Sequence, residues 1–428
     1  HRAQLALADA DYVQAERDAN LLLSQFPGSA LRAHAYGVLT QSAWEQRRFR
    51  SVANNARKTR AEFPLDAGKV RSDLGVLEAE AWYRAGLSAE AGGQGDFRNA
   101  ADTYAAVLRE WSAGGETLKS GELMFQRVLA EIKSGSGEGA TVLDDLESDP
   151  LFDVENRWQA EWQLARSLQL EGRTPEAFGR VSRLLAGALS SAASDGSLAP
   201  GAVPLNPELR ARMAWLQARL SFESDQFEQT LKLVDSLTAT PIDVEPSLKS
   251  ELLSDMVLLK ARTELALGQE PAALETLKRL RIEFPKSDAA IYSYLIEAAH
   301  YEGQSKIVEA QIRLTGLIDN PDYKNSEYVP YAQFSLALLS EQLGRPENLV
   351  EANRRIEELV NSPAAESQGD LIFVARLKQG DLLRRLNQWP QAQRAYEDLE
   401  NKYPRRPDVV LAQLALAMTH SAQSATDP

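Results

Sequence analysis

The sequence predicts an all-α fold in which antiparallel helical hairpins repeat along the chain. Three observations lead to this prediction. Apolar residues recur with helical spacing through most of the 428 residues, and alternating runs rich in Val and Ile are scarce. Similar helix–turn–helix units also recur, several of them ending in an aromatic residue followed by proline. Because a helix pair of this size cannot bury its apolar face alone, we expect about ten such units to stack into a solenoid.

The clearest unit spans Ala375–Pro404. Small residues, Gly380 in its first helix and Ala392 in its second, predict a close approach of the two helices. The segment Asn387–Pro390 is predicted as the turn between them. Tyr403-Pro404 closes the unit, because proline disfavours the helical conformation in the residue before it. Phe26-Pro27, Phe63-Pro64 and Phe284-Pro285 are similar closures.

The helical pattern recurs from the N-terminal to the C-terminal end of the sequence. In that order the predicted helices are one ending at Phe26, then Leu31–Gln46, Phe49–Phe63, Lys69–Leu87, Phe97–Trp111, Gly121–Ile132, Ala140–Leu146, Trp158–Leu170, Pro175–Ala186, Glu208–Phe222, Phe227–Leu237, Leu248–Leu267, Pro271–Phe284, Ala289–Tyr301, Ile307–Ile318, Tyr328–Leu343, Pro346–Val360, the two of the unit just described, and Val409–His420. The stretch Ala91–Gly95 is predicted as a glycine-rich loop.

One stretch of low complexity divides this pattern. Residues 186–207 are dominated by Ser, Ala, Gly and Pro and show no periodicity, which predicts a long loop or hinge. We therefore expect an N-terminal array over residues 1–185 and a C-terminal array over residues 208–428. Helix 409–420 is predicted to cap the last unit.

The recurring units resemble the tetratricopeptide repeat. The family pattern has Gly or Ala in the first helix, Ala in the second and Pro at the end, which Gly380, Ala392 and Pro404 match. Similar matches are Ala165, Gly172 and Ala177, and Gly268, Ala273 and Pro285. Most units here are longer than the family's 34 residues, and the aromatic residue of its first helix is mostly absent. The resemblance implies a right-handed superhelical solenoid that binds other proteins or peptides.

The Phe-Pro closures also resemble a subgroup of these proteins from bacterial cell envelopes. This weaker resemblance implies a periplasmic or envelope location, with the cytoplasm as the alternative. The chain begins His1-Arg2-Ala3 within a helical pattern and without Met, so we expect a preceding segment that carries any membrane attachment. No apolar run in the sequence is long enough for direct membrane insertion.

Composition and the absence of known motifs argue against several classes of function. A net charge of −14 argues against nucleic-acid binding, since phosphate contacts need an excess of Lys and Arg. The absence of cysteine excludes disulfides, thiolate catalysis and Cys-ligated metal sites. The four histidines are scattered, and no phosphate-binding loop or nucleophile elbow is found. We therefore predict no catalytic, cofactor or metal site.

Two charged regions and a pair of tryptophans are the candidate binding residues. The basic region contains Arg47, Arg48, Arg50, Arg57, Lys58 and Arg60. The acidic region contains Asp144, Asp145, Glu147, Asp149, Asp153 and Glu155, and Trp158 and Trp162 follow it one helical turn apart. The alternative interpretation is an ordinary charged surface for both regions and seam-filling tryptophans between helices. A site for calcium or for a basic partner in the acidic region is a further alternative, although the EF-hand spacing is missing.

The predicted function is a non-catalytic scaffold or adaptor for one or more protein or peptide partners in a multiprotein, envelope-associated assembly. Two alternatives are a regulatory module that binds short peptides in a concave groove and an enzyme that uses a carboxylate pair in a cleft between repeats.

Overall fold

The computed structural model describes residues 1–63, 68–89, 92–114, 120–190, 206–239, 243–362 and 368–426. All regular structure in these ranges is helical, in 21 α-helices. The chain divides into two compact units, His1–Asp225 and Gln226–Pro428.

The first unit contains eleven helices within the described ranges. They are α1 Arg2–Ala8, α2 Tyr12–Gln25, α3 Arg32–Glu45, α4 Phe49–Glu62, α5 Gly68–Ser88, α6 Gln94–Gly114, α7 Ser120–Ser134, α8 Gly139–Asp145, α9 Val154–Leu170, α10 Thr174–Ser190 and α11 Pro207–Glu223. Within this unit, each of the helices α1 to α10 packs against the next helix in the chain.

The second unit contains ten helices and has the same pattern of contacts between successive helices. They are α12 Phe227–Ala239, α13 Pro246–Ala266, α14 Glu270–Glu283, α15 Asp288–Gly303, α16 Ile307–Ile318, α17 Tyr328–Gln342, α18 Pro346–Val360, α19 Gly369–Arg385, α20 Trp389–Lys402 and α21 Val409–Thr426. The all-α repeat solenoid predicted from the sequence is thus confirmed.

Residues 186–190 of the predicted hinge continue helix α10, whereas residues 191–205 lie outside the described residues. Two other predictions fall partly outside the described residues. Pro64 belongs to a predicted closure, and Ala91 belongs to the predicted glycine-rich loop. That predicted loop also overlaps α6, which begins at Gln94.

Turns within the hairpins share one backbone conformation. Each contains a residue with positive φ, for example Arg47 at 55°, Gly172 at 77°, Ser305 at 59° and Asn387 at 58°. In the last of these turns, the Gln388 N–H donates to the Leu383 carbonyl at 2.8 Å, which terminates the preceding helix. The tight turns place the second helix of a hairpin directly against the first.

Side-chain caps fix where several helices begin. Asp11, Asp153 and Ser287 each accept a hydrogen bond from a backbone N–H in the first turn of the helix that follows, at 2.8 to 3.1 Å. These bonds satisfy N–H groups that have no partner within the helix. Helices α13 and α18 begin with proline, whose missing N–H costs nothing there.

The core is a series of clusters, each shared by neighbouring hairpins. One cluster joins α19, α20 and α21 through buried side chains that include Phe373, Leu383, Tyr396 and Ala412. Gly380 faces the ring of Tyr396, and a Cβ added at Gly380 would lie 2.3 Å from the ring atom Cε1. The ring is held in place because the Tyr396 hydroxyl donates to Asp381 Oδ1 at 2.8 Å. The glycine therefore makes room for an aromatic ring.

This contact gives a testable prediction. Gly380→Ala should destabilise the second unit by about 1–3 kcal/mol, because the buried Tyr396 ring cannot move away from the new methyl group. Gly316→Ala in α16 is the matched control, since its Cβ would meet the Tyr294 ring at an ordinary 3.6 Å. Thermal unfolding should show a lower Tm for the first variant and an unchanged or higher Tm for the control. Equal Tm values would contradict this packing.

Candidate functional site

The basic region lies at and along α4, where most of its side chains bind carboxylates of other helices. Arg50 donates twice to Asp96 of α6, at 3.0 and 2.8 Å. Arg57 donates to the buried Glu78 of α5 at 2.7 Å. These pairs join α4 to the next hairpin along the chain.

Other members of the basic region differ in their surroundings. Arg48 pairs with Glu16 of α2, and Arg60 pairs with Glu110 of α6. Arg47 occupies the positive-φ turn between α3 and α4 and is exposed, as is Lys58 on the outer side of α4. The region is thus largely a set of links between helices, and a binding role for its exposed members stays a prediction.

Local backbone contacts account for several residues of the acidic region. Asp149 accepts a hydrogen bond from the Leu151 N–H at 2.9 Å. Asp153 caps α9 through the Asn156 N–H. The Glu147 carbonyl accepts a bond from Arg157. Asp145 and the Glu147 side chain are exposed.

Asp144 takes part in a longer-range contact. The buried Arg180 guanidinium of α10 donates to Asp144 at 2.7 Å and to Glu161 of α9, also at 2.7 Å. One arginine therefore neutralises Asp144 of the acidic region and Glu161 of α9, and it links α10 to α9 and to the end of α8.

The two tryptophans have different environments. Trp158 is only 3% exposed and lies in the core shared by α7 to α11, where packing alone accounts for it. Trp162 is half-buried and lines a cavity of about 330 Å³ between α7, α9 and α11, together with Glu155, Phe125 and Leu209. Of the predicted site residues, the structure brings Glu155 and Trp162 together in a groove.

A larger groove, which the sequence analysis did not identify, lies between α15 and α17 in the second unit. We call it the tyrosine groove; its volume is about 500 Å³. Its lining is Tyr292, Leu295, Ile296, Ala298, Ala299, Glu302, Leu314, Glu327, Tyr328, Tyr331, Ser335 and Leu339. Most of these residues recur every three or four positions on α15 or α17, so each helix turns one side toward the groove.

Three of the residues that line this groove are tyrosines. The rings of Tyr292 and Tyr328 lie 5.2 Å apart between centroids, one from each helix. Tyr331 is 46% exposed at the opening. Burial raises the pKa of the Tyr328 phenol, and the negative charges of Asp288 and Glu327 raise it further. The phenol therefore stays protonated at neutral pH and can donate a hydrogen bond to a ligand.

A second, more polar cavity of about 760 Å³ adjoins the tyrosine groove and shares Tyr328 with it. We call it the acidic cavity. It is lined by Ser247, Ser250, Glu251, Ser254 and Asp255 of α13, by residues 283–289 and by Tyr328. The residues that line the groove and the cavity include six carboxylates, two in the groove and four in the cavity, and one ammonium group, that of Lys286. Their lining is thus strongly negative.

A charged cluster beneath the groove fixes the position of α15. Glu297 is 5% exposed and receives Arg281 from α14 and Arg313 from α16, the latter at 2.5 Å. The Arg281 guanidinium also lies 4.3 Å from the centroid of the Tyr294 ring. These ion pairs hold α15, one wall of the groove, against both α14 and α16.

Within the described ranges, no three His, Asp or Glu side chains come together as a metal-binding group. None of the helices among the described residues combines the length and apolarity needed to cross a bilayer.

Comparisons with known proteins identify the class of the repeat. The family model described as Tetratricopeptide repeat matches residues 374–405, which include α20 and most of α19. The resemblance found in the sequence is therefore confirmed, and the chain is a helical-repeat protein with a tetratricopeptide repeat near its C-terminal end. No curated protein matches the sequence.

Solved structures with a similar arrangement of helices share little sequence with this chain. Yeast Tom70 has a TM-score of 0.45 at 11% identity, covering 99% of this chain and 95% of its own. The apo form of RapI has a TM-score of 0.43 at 11% identity, covering 88% and 96%. A tetratricopeptide repeat protein from Parabacteroides merdae ATCC 43184 has a TM-score of 0.37 at 13% identity, covering 75% and 98%. Values this low carry no inference about function.

The ion pairs of the basic region give a second prediction. Arg50→Ala should lower the free energy of unfolding of the first unit, because Asp96 is buried and loses a two-bond partner, while the exposure of Arg50 limits the loss. Lys58→Ala, an exposed position on the same helix, should leave stability unchanged. Denaturant unfolding measures both variants. A larger effect at Lys58 would contradict the linking role of Arg50.

Proposed function

We propose that this protein is a non-catalytic binding module, whose tyrosine groove and acidic cavity together hold an extended, basic segment of a partner protein. The observation that carries the proposal is the continuous lining across α13, α15 and α17, which is aromatic at one end and acidic at the other. Helical-repeat proteins use surfaces of this kind to bind partners.

The groove fits side chains of a particular kind. A volume of about 500 Å³ accommodates one or two apolar side chains, which would pack against Leu295, Ile296 and the Tyr292 ring. Tyr331 at the opening offers a large, rigid contact surface. A partner segment would therefore place an apolar or aromatic residue here.

The acidic cavity complements positive charge. Glu251, Asp255 and Asp288 lie on its walls, so lysine or arginine next to the apolar residue would face carboxylates. The same negative lining opposes phosphate groups, which is why we propose a protein segment as the ligand and not a nucleic acid.

The proposal also includes the cellular location of the protein. We infer that the full-length protein acts as a scaffold or adaptor in a multiprotein assembly of the bacterial cell envelope. The support is the recurrence of Phe-Pro closures, one of which, Phe284-Pro285, borders the acidic cavity. Fractionation of native cells should recover the full-length protein from the envelope or periplasm; recovery from the cytoplasm would contradict this location.

Peptide binding tests the groove directly. A fluorescently labelled peptide of alternating lysine and leucine should bind, while the peptide with glutamate in place of lysine should not. Tyr331→Ala should weaken binding at least tenfold, or about 1.4 kcal/mol, because it removes the aromatic contact at the opening. Val350→Ala, an exposed apolar position on α18 outside the groove, is the control. Fluorescence anisotropy gives the Kd values.

The acidic cavity is tested by charge removal. The double variant Glu251→Gln, Asp288→Asn should bind the lysine peptide more weakly and with a smaller dependence on salt concentration. Glu275→Gln on the exposed side of α14 is the control and should change neither. Equal binding of the two peptides, or no effect of Tyr331→Ala, would reject the proposed function.

A further inference from the structure

Several aromatic rings of this protein are covered by cations of the chain itself. On α15, for example, the Arg281 guanidinium lies over the Tyr294 ring, 4.3 Å from its centroid. Such a contact is favourable because the face of an aromatic ring is electronegative. Among the described residues, no Lys or Arg takes a similar position over the three tyrosines of the tyrosine groove. The faces of these rings are therefore accessible to a cation from outside the chain.

Two of the three rings form a corner in the groove. Tyr292 of α15 and Tyr328 at the start of α17 have ring centroids 5.2 Å apart and ring planes inclined by 43°. Tyr331 follows Tyr328 by three residues, so it lies on the same side of α17, and it is 46% exposed. Three aromatic residues from two helices thus line one groove that solvent can enter.

The charged groups around these rings are carboxylates. Burial raises the pKa of the Tyr328 phenol, and the negative charges of Asp288, Glu327 and Asp255 raise it further. The lining of the groove also includes Glu302 and, within the described residues, neither Lys nor Arg. A cation in the groove would therefore be attracted both by the ring faces and by the carboxylates.

The rest of the lining is mainly apolar, and includes Leu295, Ile296 and Leu339. An unmodified lysine ammonium is compact and strongly hydrated, so it is costly to place among such side chains unless its N–H groups find acceptors. Methylation of the nitrogen keeps the positive charge and replaces the N–H donors by methyl groups. A trimethylated lysine thus offers an apolar surface and a positive charge at one position.

We propose that the tyrosine groove is selective for an N-trimethylated lysine of the partner segment, held by cation–π contacts with Tyr292, Tyr328 and Tyr331. This inference rests on the proposed function and specifies the residue that the groove prefers. The volume of about 500 Å³ accommodates the trimethylammonium group together with the aliphatic stem of the lysine. Neighbouring lysine or arginine residues of the segment then face the acidic cavity.

Three labelled peptides test the selectivity. Each is the lysine–leucine peptide of the proposed function with one central leucine replaced by trimethyllysine, by lysine, or by a neutral analogue of trimethyllysine in which carbon replaces the side-chain nitrogen. Fluorescence anisotropy should give a Kd for the trimethyllysine peptide about tenfold lower than for the other two. The neutral analogue matches the shape of trimethyllysine, and lysine matches its charge, so the two comparisons isolate each contribution.

Variants at exposed positions test which groups carry the preference. Tyr331→Phe keeps an aromatic face and should retain the preference for trimethyllysine over the neutral analogue, whereas Tyr331→Leu keeps only an apolar contact and should lose it. Glu327→Gln should weaken binding of the trimethyllysine peptide and leave that of the neutral analogue unchanged. Glu309→Gln, an exposed position on α16 outside the groove, is the matched control. Equal Tm values check that the variants fold alike.

The outcomes separate this inference from the proposed function. Equal Kd values for the trimethyllysine peptide and either of the other two would overturn the selectivity, while binding of the lysine–leucine peptide would still support the proposed function. Binding of the trimethyllysine peptide alone would support the selectivity and reject an unmodified basic segment as the ligand. Choline carries the same quaternary ammonium in a small molecule. A Kd for choline as low as that for the trimethyllysine peptide would overturn the assignment to a partner protein.

Discussion

A single helical hairpin of this chain cannot cover its own apolar side, so each hairpin depends on the next one. The core follows from this constraint, because every cluster is shared between neighbours; the cluster of α19, α20 and α21 is an example. The contact between Gly380 and the ring of Tyr396 shows how tightly the helices then meet. The loss of a Cβ in one helix admits a whole aromatic ring from the other.

The same constraint determines where charge is buried. Carboxylates on the first helices of hairpins lie beneath the surface, where an unpaired charge would be costly. Arginines from adjacent helices meet them: Arg57 pairs with Glu78, and Arg180 pairs with Glu161. Glu297 takes two arginines, one from each side. These contacts join neighbouring helices, so they stabilise the fold whether or not a partner binds.

Stacking also creates the surfaces that remain for binding. Where α15 and α17 stand next to each other, their facing side chains line the tyrosine groove. On α21, Leu411, Leu414 and Met418 are also about half exposed. The proposed function therefore concerns a surface that repeated packing leaves accessible, an aromatic groove next to an acidic cavity.

The sequence by itself determined the class of the fold. Helical spacing, turn residues such as Gly172 and Asn387, and proline closures act over a few neighbouring residues, so local patterns show them directly. The resemblance to the tetratricopeptide repeat rested on such local features, with Gly380, Ala392 and Pro404 in the matched segment. The predicted helices agree with the structure apart from shifts at their ends and apart from the start of the chain, where α1 and α2 stand in place of the one helix predicted to end at Phe26.

The candidate site was less accessible from the sequence. Arg50 and Asp96 are 46 residues apart, and Tyr292 and Tyr328 belong to different hairpins. A list of basic or aromatic residues cannot show which of them meet, although the tyrosines recurring in α15 and α17 were a signal that could have been followed. The tertiary structure alone decided that most of the basic region is paired and that the tyrosines line a groove. The physical reason is that both depend on packing between helices distant in sequence.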